Sequence, residues 1–177
     1  LNRAAELVSS FKKVAVNQDV EISTKINLHN LLSDVVMSMR SEIQYRNPKV
    51  TINCNNDVSI ETKSGPLQQV LQQLLSNSVI HAFSDDQDNE ITFNVERNES
   101  SLIIHYFDNG SGVDKSIRKR IFDPFVTTKR GEGGSGLGMH LVYNLVTQAL
   151  GGSIIFDELA QQGAHFIITL PLQEGAA

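Results

Sequence analysis

Gln73, Asn77 and His81 recur at i, i+4 and i+8, and Asp108-Asn109-Gly110-Ser111-Gly112 follows directly on an apolar run over 102–107. At helical spacing the first three side chains line up along one helix edge, where polar groups can wall a pocket. A carboxylate only accepts hydrogen bonds, so Asp108 suits an exocyclic amine such as that of adenine, and Gly110 and Gly112 let backbone come close to a ligand. One hydrogen bond to a charged group contributes roughly 1.5–3 kcal/mol, enough to matter for affinity. A third segment, Gly131-Glu132-Gly133-Gly134-Ser135-Gly136-Leu137-Gly138, leads into a helical pattern with Leu137, Leu141, Val142, Leu145 and Val146 on one face. Unpaired N–H groups at such a helix start, reached through glycine, bind phosphate without net positive charge. No Lys-Ser or Lys-Thr follows the glycines and no parallel β-α-β unit is closed, so this is neither a P-loop nor a dinucleotide fingerprint. Between the glycine segments, Phe122-Asp123-Pro124-Phe125-Val126-Thr127-Thr128-Lys129 reads as a lid. Its phenylalanines pin it, and Thr127, Thr128 and Lys129 offer donors to a polyphosphate. Taken singly, each also has a plain reading, as a solvated helix flank, a turn, a flexible loop and an ordinary loop, although five glycines in eight residues exceed what a flexible loop needs.

The elements that must position these residues follow from periodicity. Leu67, Val70, Leu71, Leu74, Leu75, Ser78 and Ala82 fill one arc of a helix over 66–83, with Ser64 as its N-cap and Pro66 in its first turn. Leu28, Leu31, Leu32, Val35, Val36, Met39 and Ile43 form a second amphipathic helix, ended by Pro48. A short strand is expected over 21–26, and strands over 50–54 and 58–62 are expected to pair through Asn55-Asn56-Asp57. Strands near 91–95 and 102–107 form a hairpin around 98–100, a short helix lies near Ile117, and a helix over 136–150 ends at Gly151-Gly152 before closing strands at 153–157 and 165–170. This order predicts an α/β (α+β) fold, a two-layer sandwich whose mixed, mostly antiparallel sheet is covered by helices on one face.

Composition bounds the function. The 177 residues fit one domain with a short appendage, and 40% are apolar, enough for a real core. Twenty acidic against fifteen basic residues give a net charge of −5, and no dense block of Lys and Arg stands out, which argues against nucleic acid as a partner. Phosphate binding must therefore be local. The single cysteine, Cys54, has no second thiol to pair with, so a reducing cytoplasm is the expected setting. No apolar stretch approaches the roughly 18 residues that a membrane helix needs. Leu1, Ala5, Val8, Phe11 and Ala15 form a helical seam at the start, so residues 1–18 are expected to be the tail of a helix packed on another helix and 19–177 the main domain. A chain opening inside such a pattern is expected to be cut from a longer protein, for which an inner-membrane anchor elsewhere stays open.

Taken together and in this order, the four segments resemble the ATP-binding domain, the Bergerat-type fold, shared by sensor histidine kinases, DNA gyrase, the Hsp90 chaperone and the MutL repair protein. The resemblance covers about residues 20–171, and the wording over 121–139 is most similar to the histidine kinases of two-component signalling. It implies that Asn77 coordinates Mg²⁺ bridging the phosphates of ATP, with Gln73, His81, Thr128 and Lys129 near them and Asn77 and Lys129 serving the transfer itself. It implies further that Asp108 holds the adenine amine while Gly110 and Gly112 shape the base pocket, that Gly134, Ser135, Gly136, Leu137 and Gly138 meet the phosphates, and that Phe122 and Phe125 anchor the lid. Residues 1–18 then resemble the end of a dimerisation and phosphoacceptor hairpin, so the parent is expected to be a homodimer that hands phosphate to a response regulator. Two positions depart from the pattern. Gln73 stands where histidine kinases usually carry Asn and where hydrolytic relatives place a Glu as general base; Gln cannot take a proton at neutral pH, which favours a kinase over an ATP-hydrolysing clamp. Ala164 follows Gly163 where many relatives carry Thr. His29, His81, His105, His140 and His165 all lack the phosphoacceptor pattern, so the accepting histidine is expected outside this chain. His105 and His165 are expected to be satisfied sheet residues. A hydrolytic clamp fragment, or a nucleotide-binding module without catalysis, is the alternative.

Overall fold

The computed structural model describes residues 21–129 and 134–173, together with 4, 5, 8, 9 and 12. Of the expected N-terminal helix only residues 4, 5, 8, 9 and 12 are described, and these are helical and exposed; the rest of that segment, like 131–133 of the glycine segment, lies outside the described residues.

Strand alternation places the core. In β5, Ser101–Asp108, and β7, Ala164–Pro171, every second residue is buried, and the buried set includes Leu102, Ile104, Tyr106, Phe166 and Ile168. The intervening side chains leave one sheet face open, as an antiparallel sheet with helices on a single side requires. With β2 (Lys49–Asn53), β4 (Glu90–Arg97) and β6 (Ser153–Phe156) these strands form one five-stranded sheet in the order β2-β4-β5-β7-β6. All its pairings are antiparallel except β2 with β4, which is parallel. Helices α1 (Leu28–Ser38), α2 (Arg40–Ile43), α3 (Ser64–Asn77) and α4 (Gly138–Asn144) provide the second layer, their apolar stripes joining the same buried cluster. This is the two-layer mixed sandwich expected from the sequence.

Two local expectations fail. The strands at 50–54 and 58–62 do not pair with each other: β3 (Ser59–Thr62) pairs antiparallel with β1 (Thr24–Asn27) in a separate two-stranded sheet, while β2 joins the main sheet. Register explains the choice. Val50 lies opposite Ile91 and Ile52 opposite Phe93, so β2 extends the apolar face of the main sheet, whereas Ile60 finds Ile26. Ser64 is not the cap of α3; the helix begins at Ser64 after Lys63, and Glu21 supplies the capping carboxylate, accepting from Gly65 N at 2.7 Å and from Ser64 Oγ at 3.0 Å. A charged acceptor on first-turn donors is the stronger cap. The short helix expected near Ile117 is a 3₁₀ turn at Arg118–Arg120.

Candidate nucleotide-binding site

The α3 helix does not end where its α-turns end. It continues through a π turn, Ser78–Ala82, closed by Phe83 N donating to Ser78 O at 3.0 Å. Insertions of this kind concentrate at functional sites because they shift the register of side chains. Ser78, whose own N–H still bonds to Leu74 O, stands where the π turn begins and faces the end of β5. Ser78 Oγ donates to Asp108 Oδ2 at 2.6 Å and lies 2.7 Å from Tyr106 Oη. Ser78 gives its one proton to the carboxylate, so Tyr106, whose O–H reaches either Ser78 Oγ or the Leu74 carbonyl at 3.1 Å, backs the serine oxygen. Sequence reasoning placed Ser78 in the apolar arc and gave Tyr106 no role; only the packing of the helix on β5 brings them together.

Asp108 is 6% exposed, and its other oxygen, Oδ1, accepts from Gly110 N at 3.0 Å and Ala164 N at 3.1 Å. Burial raises its pKa above the ordinary 3.8, while the Ser78 hydroxyl and the Gly110 and Ala164 amides pull it back. Oδ1 is thus committed to two backbone donors, and Oδ2, with one donor, keeps capacity for another. Gly163 makes this possible: at φ +66 it brings its own backbone so close that a Cβ would stand 1.7 Å from Asp108 O.

Asp108 sits in the wall of a cleft of about 480 Å³. Gln73, Asn77 and His81 of the helix stripe line it, as do Gly112, Thr128, Gly134, Ser135, Gly136 and Gly138. Ile80, Val113, Ile117, Ile121 and Met139 give it an apolar side that the sequence reading did not single out. A flat, partly apolar ring with one amine donor matches such a wall. Five expected residues stand behind the lining. Gly110 packs on Ala82, where a Cβ would meet the Ala82 Cβ at 2.4 Å. The Phe122 ring packs near Tyr143 and Phe166, with centroids 5.6 and 6.4 Å away. Phe125 adopts a positive φ of 65°, and a Cβ at Gly136 would come within 2.6 Å of its backbone carbon. Leu137 is buried, and its N–H donates to Ser135 Oγ at 3.2 Å. Lys129 Nζ donates to Ile80 O at 2.7 Å, which ties the lid's far end to the π turn.

The α4 helix opens at Gly138 and runs on through a π turn, Leu145–Ala149; its first N–H groups, ahead of Leu141, have no intrahelical partner, and Gly138 and Met139 line the cleft. Gln73 lies against this mouth, since a Cβ at Gly138 would come within 2.8 Å of Gln73 Oε1. Burial, aided by the Lys129 ammonium, holds His81 below its ordinary 6.5, so at neutral pH it is an uncharged imidazole. No cluster of three or more His, Cys, Asp or Glu able to hold a metal occurs among the described residues. Asn77 offers a single amide oxygen, a donor set suited to Mg²⁺ only when phosphate oxygens and water supply the rest of its octahedron. His105 and His165, as expected, satisfy each other on the open sheet face, with His105 Nδ1 3.0 Å from His165 Nε2 and His165 Nδ1 3.1 Å from Asp157 Oδ2.

A buried carboxylate and a glycine-rich helix start lining one cleft, carried on an open-faced sandwich, define a nucleotide-binding domain. The chain belongs to the family of histidine kinase-, DNA gyrase B- and HSP90-like ATPases, whose family model matches residues 62–174. Among curated relatives it is 29% identical to the sensor histidine kinase ZraS of Salmonella typhimurium over 175 residues, 97% of this chain and 36% of that one. It is 35% identical to the alginate biosynthesis sensor protein KinB of Pseudomonas aeruginosa over 106 residues, 60% of this chain and 17% of that one. The chain therefore spans well under half the length of these relatives. The catalytic domain of the histidine kinase ThkA superposes with a TM-score of 0.72 at 25% identity, covering 85% of this chain and 97% of that domain. Within the family the chain thus falls on the sensor histidine kinase side, as its lid and second glycine segment suggested. No helix among the described residues is long and apolar enough to cross a membrane.

Proposed function

We propose that this chain is the catalytic domain of a sensor histidine kinase, binding Mg²⁺-ATP in the cleft and delivering the γ-phosphoryl group to a histidine outside the chain. The observation that carries the reading is Asp108: a buried carboxylate with one oxygen saturated by backbone and the other still able to accept. It takes the adenine amine in the apolar half of the cleft beside Gly112. Thr128, Gly134, Ser135, Gly136, Leu137 and Gly138 take the triphosphate at the helix mouth, where the dipole favours negative charge. Leu137 joins that set once its N–H leaves Ser135. Asn77 holds the metal, which when bound neutralises phosphate charge as phosphoryl transfer requires. His81 and Lys129 lie at the same end, and Phe122 and Phe125 anchor the lid over it.

Gln73 supports transfer over hydrolysis, because no carboxylate stands at that position on the helix to deprotonate a water. Residues 1–18 are the end of the dimerisation and phosphoacceptor hairpin, the parent acts as a homodimer in the cytoplasm, and its phosphohistidine serves a response regulator. The test supplies the chain with γ-labelled ATP, Mg²⁺ and a separate phosphoacceptor hairpin. Acid-labile, base-stable label on the hairpin supports the reading; nucleotide that fails to bind with Mg²⁺ present, measured by calorimetry, overturns it.

A further inference from the structure

His140 is absent from the cleft lining, yet it is the third residue of the helix whose first two residues line that cleft. Its Nδ1 lies 3.0 Å from the backbone oxygen of Phe122, and its Nε2 lies 3.1 Å from Asn144 Nδ2, one turn further along the same helix. The two contacts agree on one proton arrangement. A carbonyl oxygen only accepts, so Nδ1 carries the hydrogen; the Asn144 amide nitrogen only donates, so Nε2 is bare. The ring is thereby held in one orientation on a half-buried site, with Nδ1–H toward the Phe122 carbonyl.

The bond lands at a mechanically telling place. Phe122 stands at the root of the lid, next to the buried Ile121, with its ring against Tyr143 of the same helix. Three residues on, Phe125 approaches Gly136 so closely that no side chain fits between them. The lid is therefore fastened to the Gly138 helix at two levels, by a backbone approach at the mouth and by His140 one turn deeper. Ring packing alone lets a segment slide, whereas a hydrogen bond to its backbone fixes height and direction.

We propose that His140 is a positioning residue that sets the lid at its working height over the phosphate end of the cleft by donating Nδ1–H to the Phe122 carbonyl. The inference rests on the nucleotide reading of the cleft, but one of its tests does not. Backbone hydrogen exchange over 121–129 is measured in the nucleotide-free chain for wild type, His140→Ala and His140→Asn, whose amide nitrogen occupies nearly the place of Nδ1. Loss of one neutral hydrogen bond raises exchange at the lid root roughly 3- to 10-fold in His140→Ala, and His140→Asn restores protection. In binding, His140→Ala weakens ATP by a similar factor with faster release, leaves adenosine within about twofold because adenosine ends at Asp108, and His140→Asn again rescues. Unchanged exchange in His140→Ala, equal behaviour of the two variants, or equal losses for adenosine and ATP overturns the proposal. A wild type that binds no ATP overturns the nucleotide reading instead, with the exchange comparison still deciding the role of His140.

Discussion

Replacing Asp108 with Asn tests the site at its most constrained point. The side chains match in shape, and the amide oxygen can keep the two backbone bonds that Oδ1 now accepts from Gly110 and Ala164. What changes is the other position, where an NH₂ replaces the oxygen that accepts from Ser78. Ser78 can answer by accepting from that NH₂, so the scaffold survives. The ligand cannot answer, because the adenine amine now faces a donor. Loss of one charge-assisted bond of roughly 1.5–3 kcal/mol lowers ADP affinity about 10- to 150-fold. Apo stability moves little, because removing a buried charge relieves the desolvation that raises the carboxyl pKa. The new donor suits a 6-oxo ring, so inosine diphosphate should gain on ADP in the variant. Calorimetry with both nucleotides, alongside thermal unfolding, separates the outcomes. ADP affinity within about threefold of wild type, or an unchanged preference between the two nucleotides, refutes the assignment of this carboxylate; the threshold lies below the tenfold that a single charged bond contributes at minimum. The same logic fixes a sign for pH. Because the folded-state pKa of Asp108 is raised, its protonation favours the folded chain, so the group contributes stability below the unfolded value of 3.8 that is lost as pH rises through the folded value. Nucleotide affinity runs the other way, falling as pH drops into that window, and Asp108→Asn flattens both dependences.

Three further outcomes follow from neighbouring residues. Gly163→Ala forces a Cβ to 1.7 Å from the Asp108 carbonyl at φ +66; strain of roughly 1–3 kcal/mol plus comparable overpacking should lower the melting temperature by about 10 °C, and a shift within about 3 °C contradicts the close approach. In Asn77→Ala the gain in ATP affinity on adding Mg²⁺ should collapse, as read by calorimetry with and without the ion, while a preserved gain places the metal on other groups. Lys129→Ala should raise the His81 midpoint, followed by imidazole proton NMR, yet leave it below 6.5 because burial is the larger cause. In the wild type the unfolded chain protonates first, so stability is lost as pH falls from about 6.5 through the depressed folded value. An unmoved midpoint removes Lys129 from the neighbourhood of His81.

Which parts of this site the sequence disclosed depends on whether the information is local. The stripe of Gln73, Asn77 and His81, the carboxylate after an apolar strand and the glycine-rich helix start are each complete within a few residues, and the cleft gathers them as expected. Pairing partners are a different kind of fact. The strand at 49–53 alternates equally well beside 59–62 or beside 90–94, and only the fit of Val50 to Ile91 and Ile52 to Phe93 across the whole sheet decides. Glu21 capping a helix 44 positions away is equally invisible, because a carboxylate in a polar stretch has many possible neighbours. Ser78 marks the sharpest case. At 100° per residue it belongs to the buried arc with Leu71 and Leu75, and it is indeed 1% exposed. Yet nothing in the arc announces that its hydroxyl meets Asp108, 30 positions further along the chain. The constant period of the helix therefore places Ser78 in the core correctly, and what it cannot supply is the strand end that the serine meets, because that partner is fixed only when the helix packs on the sheet.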